Sequence, residues 1–178
     1  MSEWPWPGPS DDGGAAHLVA GLPLPSIALP STAGIEIDLS RIAGRYVVFV
    51  YPYTGTPGTP NPPGWDEIAG AHGSTPEAEG FRDLMPQFAV RGVKVFGLSM
   101  QASEAQLAFA RRASLTFPLL SDGEARLSNA LRLPRFETGG KTYLRRLTLN
   151  ARDGRITRTF YPVHPPDTHA SVVLAALG

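Results

Sequence analysis

Ala71-His72-Gly73-Ser74-Thr75-Pro76-Glu77-Ala78-Glu79-Gly80-Phe81 is the stretch on which the reading of the fold turns. It runs from a loop into the first turn of a helix. Ser74 followed three residues later by Glu77 is a capping-box pattern, and Thr75 before Pro76 is an N-cap with proline in the first turn. The two registers differ by one residue and start the same helix. Phe81, Leu84, Met85, Phe88 and Ala89 then recur on one face, predicting a helix over about 76–90. The first turn of a helix presents unpaired N–H groups and the positive end of the macrodipole, so a group placed there has its anionic form favoured. A thiolate or a bound anion suits such a place. The residue present is a serine.

Working outward, Tyr46-Val47-Val48-Phe49-Val50-Tyr51 is a continuous run of β-branched and aromatic residues, the pattern of a strand buried on both faces. Pro52 ends it. The stretch 53–73, with Pro57, Pro60, Pro62 and Pro63, has no periodic pattern, and an unstructured loop of that length in a compact domain is functional or mobile. Trp65 reads as its anchor or as a contact in a dimer. Upstream, 27–29 and 34–39 read as short strands. Downstream come a second buried strand at 93–99, a helix at 103–113, a short strand at 117–120 and a helix at 124–131. Strands at 143–150 and 155–161 form a hairpin across Arg152-Asp153-Gly154, and a last helix covers 168–177. This order predicts an α/β protein with a mixed central β-sheet flanked by helices. Residues 1–20, rich in Pro, Gly, Ser and Asp, are expected to be a flexible N-terminal arm carrying Trp4 and Trp6, with the folded domain at 21–178.

Composition narrows the function. The 178 residues suffice for one domain burying roughly 70% of its unfolded surface. Lysine plus arginine equals aspartate plus glutamate at 16 each, which removes the electrostatic case for nucleic acid or an acidic membrane. Zero net charge leaves self-association unopposed, so both monomer and homodimer stand as expectations. No cysteine is present, which excludes disulfides, thiolate metal sites and thiol chemistry by the chain itself. Histidines at 17, 72, 164 and 169 lack metal-ligand spacing, and no cofactor is expected. With no secretory pattern and no apolar run long enough to span a bilayer, the cytoplasm is the expected location.

Several segments, taken in order, resemble the peroxiredoxins, nearest to the bacterioferritin-comigratory (Q-type) branch. These are Leu22-Pro23-Leu24-Pro25 with Asp38-Leu39-Ser40, Phe49-Val50-Tyr51-Pro52 with Thr56-Pro57-Gly58, and Ser74 through Asp83, which is similar to a Cys-Thr-x-x-x-Cys-x-Phe-Arg-Asp helix start. Val95-Phe96-Gly97-Leu98-Ser99, Phe117 through Asp122 and Arg146-Leu147-Thr148-Leu149 extend the likeness to nearly the whole chain from Gly21. The resemblance implies a thioredoxin-like fold and an antioxidant thiol peroxidase. In such an enzyme a cysteine in the first turn of a helix attacks a peroxide and becomes a sulfenic acid. A second cysteine then resolves it, and a thioredoxin-like reductant restores the thiols.

Carried onto this chain, the resemblance puts Ser74 at the peroxidatic cysteine position and Glu79 at the resolving one. Thr56 would hydrogen-bond the sulfur and peroxide, Pro52 would shield the pocket, and Arg146 would hold peroxide and sulfur, with Arg145 its alternative. Thr56 and Ser74 stand eighteen residues apart where the family pattern has three, which implies an insertion after Gly58. The rival register places Thr59 at the cysteine position. A serine hydroxyl is barely ionised at neutral pH and has no sulfenic acid cycle, so the chain is expected to be inactive towards peroxide. Serine for cysteine is the exchange used when a reactive thiol is removed by design; Glu79 is not explained that way. Two other readings remain: a naturally redox-dead binding module, and a hydrolase pairing Ser74 with His72, which lacks the Gly-x-Ser-x-Gly elbow.

Overall fold

The computed structural model describes residues 3–178. β1 (Ala28–Pro30) and β2 (Glu36–Asp38) form a small antiparallel pair. β3 (Arg45–Val50) is the middle of the main sheet. After the long loop come α1 (Ser74–Asp83), α2 (Met85–Val90) and β4 (Val93–Ser99). α3 (Ser103–Arg112), β5 (Leu119–Ser121) and α4 (Arg126–Ala130) follow. A hairpin of β6 (Arg135–Thr138) and β7 (Lys141–Leu144) leads into β8 (Leu147–Arg152), β9 (Arg155–Phe160) and α5 (His169–Ala176).

The main sheet has the order β5-β4-β3-β8-β9. β3, β4 and β5 run parallel, and β8 and β9 are antiparallel additions on the other side of β3. Side chains of β3 alternate between two cores, which is why its whole length reads as apolar. Tyr46, Val48 and Val50 face one core with Phe96, Leu98, Leu147 and Leu149. Val47, Phe49 and Tyr51 face the other, under α1, α2, α3 and α5, with Phe81, Phe88, Phe109 and Val173. Phe81 stacks on Phe49 with ring centroids 4.6 Å apart, locking α1 to the strand that leads towards the site.

Four expectations are corrected. The single helix at 76–90 is two helices, because Pro86 has no N–H to give the carbonyl of Arg82 and the chain turns at Leu84. The single strand at 143–150 is broken at Arg145 and Arg146: its first half belongs to the β6–β7 hairpin, which turns through Gly139 and Gly140, both at positive φ. The capping box does not form. Gly73, at φ 116°, is the N-cap of α1 with no side-chain cap, and both Ser74 and Glu77 turn to another partner.

The N-terminal arm is the fourth. From Trp4 onward it is fastened to the body at several points; Met1 and Ser2 lie outside the described residues. Ala15 and Leu18 belong to the core, so the domain begins well before residue 21. Asp12 accepts a hydrogen bond from the Tyr161 hydroxyl at 2.8 Å, and the N–H of Gly70 donates to the carbonyl of Pro7 at 3.1 Å. Trp65 anchors the long loop, buried against Tyr53, Phe136 and Tyr143.

Candidate active site around Ser74

Two stretches of irregular backbone meet at the head of α1: the end of the long loop and the break between β7 and β8. Arg146, from the break, is 3% exposed and reaches into the loop. One terminal nitrogen donates to Glu77 Oε1 at 2.8 Å. The other faces Ser74 Oγ at 3.2 Å and the carbonyls of Ala71, His72 and Gly70 at 3.1, 3.2 and 3.4 Å. Its two hydrogens are shared among these four oxygens, so the guanidinium sits in a ring of acceptors that fixes the loop end against the helix start.

Ser74 is the first residue of α1 and is 4% exposed. Its oxygen accepts from Arg146, and the residue stands at the positive end of the α1 dipole, so the local field is positive. A thiolate in that place would be stabilised strongly. A serine hydroxyl stays neutral there and serves as a small hydrogen-bonding group.

Glu77 is wholly buried, and that burial pushes its carboxyl up to about 7 against the opposing pull of Arg146. Its Oε2 and the Arg146 Nε have no hydrogen-bond partner among the described residues. One layer deeper, His169 shares a 2.8 Å hydrogen bond with Thr148, and burial with the Arg146 charge pushes it down to about 4. His169 is therefore neutral at neutral pH, and Arg146 with Glu77 carries the charge of the site.

A cavity of about 270 Å³ opens above Ser74, bounded by Thr54, Asn61, Trp65, His72 and two tryptophans of the N-terminal segment. Of the residues expected at the site, the structure brings Ser74 and Arg146 together. Arg145 turns the other way, over the ring of Phe136 and 4.0 Å from Asp12. Thr56 is exposed and lines the neighbouring hollow with Thr75 and Glu79. Thr54, two residues earlier and 5% exposed, borders the Ser74 cavity instead, held by Gln101 through its N–H at 3.0 Å and its carbonyl at 3.1 Å. Pro52 is buried but lines a separate hollow with Met100 and Gln101. Glu79 is half-buried and pairs with Arg82 at 3.6 Å. Thr59, the rival register, lies exposed in a turn closed by its N–H on the Thr56 carbonyl. His72 bonds Asp66 at 2.8 Å and stacks on Trp6, so it is not engaged with Ser74.

Glu77 as the partner of Arg146 was hidden behind its capping pattern. A carboxylate four residues before Phe81 on the buried face of an amphipathic helix was the available signal. Thr54 and His169 carried none.

The family profile described as Redoxin matches residues 19–177. The chain belongs to the Redoxin family. A putative peroxiredoxin of Mycobacterium tuberculosis is 32% identical over 115 residues, which is 64% of this chain and 64% of that one. Peroxiredoxin Bcp of Xanthomonas campestris is 29% identical over 166 residues, covering 89% of this chain and 94% of that relative. Among solved structures, the bacterioferritin comigratory protein of Xanthomonas campestris matches with a TM-score of 0.70 at 29% identity, over 89% of this chain and 96% of that one. Peroxidoxin BcpB of Mycobacterium tuberculosis matches with a TM-score of 0.72 at 27% identity, over 90% and 97%. The fold is the thioredoxin-like one of these peroxiredoxins. The Redoxin match starts at residue 19, so Trp4 and Trp6, which border the Ser74 cavity, come from outside it.

Proposed function

We propose that this chain is a peroxiredoxin scaffold with Ser74 at the position of the attacking thiol, and that it does not turn over peroxide as it stands. The observation that carries this reading is the Arg146–Ser74 contact of 3.2 Å at the first residue of α1, opening onto a small cavity, in a chain without cysteine. In a cysteine-bearing form the guanidinium and the helix start would hold a thiolate. That thiolate would attack one oxygen of a hydroperoxide and break the O–O bond, giving a sulfenic acid and releasing water or an alcohol once protonated. A thioredoxin-like or small thiol would return the sulfenic acid to thiol, forming a disulfide and water. Glu79 cannot serve as a resolving group, so the regenerating thiol comes from outside the chain.

Ser74→Cys tests this directly. The variant is expected to consume hydrogen peroxide or an alkyl hydroperoxide in the presence of a thiol, while the parent chain does not. A correctly folded variant that consumes neither refutes the reading. Binding without chemistry is a second reading, favoured by the absence of cysteine throughout the chain rather than at position 74 alone. It is distinguished by a partner or ligand that the parent chain retains and that the Arg146→Met substitution releases.

A further inference from the structure

The N-terminal segment is fastened at several points beside the Ser74 cavity. Trp6 stacks on His72 with ring centroids 3.7 Å apart and planes 10° from parallel. The Pro7 carbonyl is bonded by the Gly70 N–H, and Pro9 packs on Gly70. Trp4 lies against Gly73, the residue before Ser74: a methyl group on Gly73 would come within 2.8 Å of its Cζ2. Farther along, Asp12 is tied to Tyr161, and Leu18 is in the core.

We propose that Trp4 and Trp6 determine which molecules reach position 74, admitting small or linear groups and excluding bulky branched or polycyclic ones. Three observations support it. The cavity they border, about 270 Å³, lies below the usual range of about 300–1,000 Å³ for drug-sized ligands. One face of Trp6 is covered by His72, which fixes the orientation of the ring as part of the cavity wall. Finally, Trp4 against Gly73, the Trp6–His72 stack and the Gly70–Pro7 bond fasten the two rings at several points, which makes a fixed wall and not a hinged lid. Because the segment precedes the Redoxin match, this size limit is a property of the chain's own extension. For the proposed peroxidase chemistry it selects hydrogen peroxide and unbranched hydroperoxides, and that consequence alone rests on the functional reading above.

The test uses Ser74→Cys in the full chain, whose introduced thiol is the sole cysteine. Alkylation is timed with iodoacetamide and with a pyrene maleimide, with and without Trp4→Ala and Trp6→Ala. Removing the tryptophans is expected to raise the pyrene maleimide rate about tenfold or more relative to the iodoacetamide rate, in the range over which pocket shape discriminates. Trp6→Tyr, which keeps a ring over His72, should leave the rate ratio near that of Ser74→Cys alone. The single Trp4→Ala and Trp6→Ala variants give the same readout if the double variant is unfolded. A rate ratio that does not change when either tryptophan is removed overturns the proposal. Alkylation requires only a thiol, so the size limit is judged even if Ser74→Cys reduces no peroxide.

Discussion

Arg146→Met is the perturbation that most directly interrogates the site. Methionine keeps much of the apolar stem and removes the guanidinium, so the chain loses the bond to Glu77 and the shared bonds to Ser74 and the loop carbonyls. Near pH 6 the Glu77 carboxyl is mostly neutral, because burial has raised it to about 7. The cost there is that of lost hydrogen bonds to buried acceptors, about 2–3 kcal/mol. Above about 7 the native Glu77 ionises against Arg146, whereas in the variant it keeps its proton. The native fold then stops losing stability with pH while the variant continues to lose about 1.4 kcal/mol per unit. At about pH 8.5 the added cost is about 2 kcal/mol, giving about 4–5 in all, the size expected for breaking a buried ion pair.

Urea unfolding followed by circular dichroism at the two pH values measures both numbers. A Glu77→Gln background should abolish the pH-dependent part and leave the rest. A penalty identical at both pH values, or below about 1 kcal/mol at the higher one, would refute the claim that Arg146 compensates a buried carboxylate at this site.

The opposed shifts of two neighbours make a second prediction. Glu77, raised to about 7 from an ordinary 4.5, binds more protons folded than unfolded, so it makes stability fall as pH rises between those values. His169, lowered to about 4 from 6.5, binds fewer when folded, so it makes stability rise with pH between those values. His169→Gln should therefore expose a net fall from about pH 4.5 to 7 and Glu77→Gln a net rise from about pH 4 to 6.5, read as the midpoint of thermal unfolding against pH; two profiles parallel to the parent's would contradict the assignment. Gly73→Ala should cost about 2 kcal/mol or more, because its φ of 116° disfavours a side chain and the added methyl overlaps Pro166 and crowds Trp4. Gly34→Ala, at a positive φ but with open space around it, is the control and should cost about 1 kcal/mol in denaturant titrations.

The main sheet was legible in the sequence wherever one periodicity ran unbroken. The run at 46–51 is apolar on both sides because β3 feeds two cores, and Asp153-Gly154 marks the β8–β9 turn by its backbone needs alone. The β6–β7 hairpin was missed although Gly139-Gly140 is a turn signal, since Tyr143, Leu144 and the residues of β8 read as one strand across Arg145-Arg146. Charged residues inside a strand pattern are usually an exposed face. Here two of them mark the point where the chain leaves one sheet for another, and one is driven into the interior.

That same point explains why the site was only half readable. The contact between Arg146 and Ser74 joins residues 72 apart, so no local pattern encodes it; the resemblance to a family located both, while the break between β7 and β8 decides which arginine turns inward. Thr56 and Thr54 differ by two positions in a proline-rich loop where neither strand nor helix period applies, and the side chain that borders the cavity is chosen by the bonds to Gln101. The N-terminal segment fails the compositional test for order for a related reason. Trp4-Pro5-Trp6-Pro7 offers no periodicity, yet proline lowers the entropy cost of fixing an extended chain and each indole brings a large apolar surface. A stack on His72, one backbone bond to Gly70 and a small residue at 73 are then enough to hold it against the body, where a polar segment of equal length would stay in water.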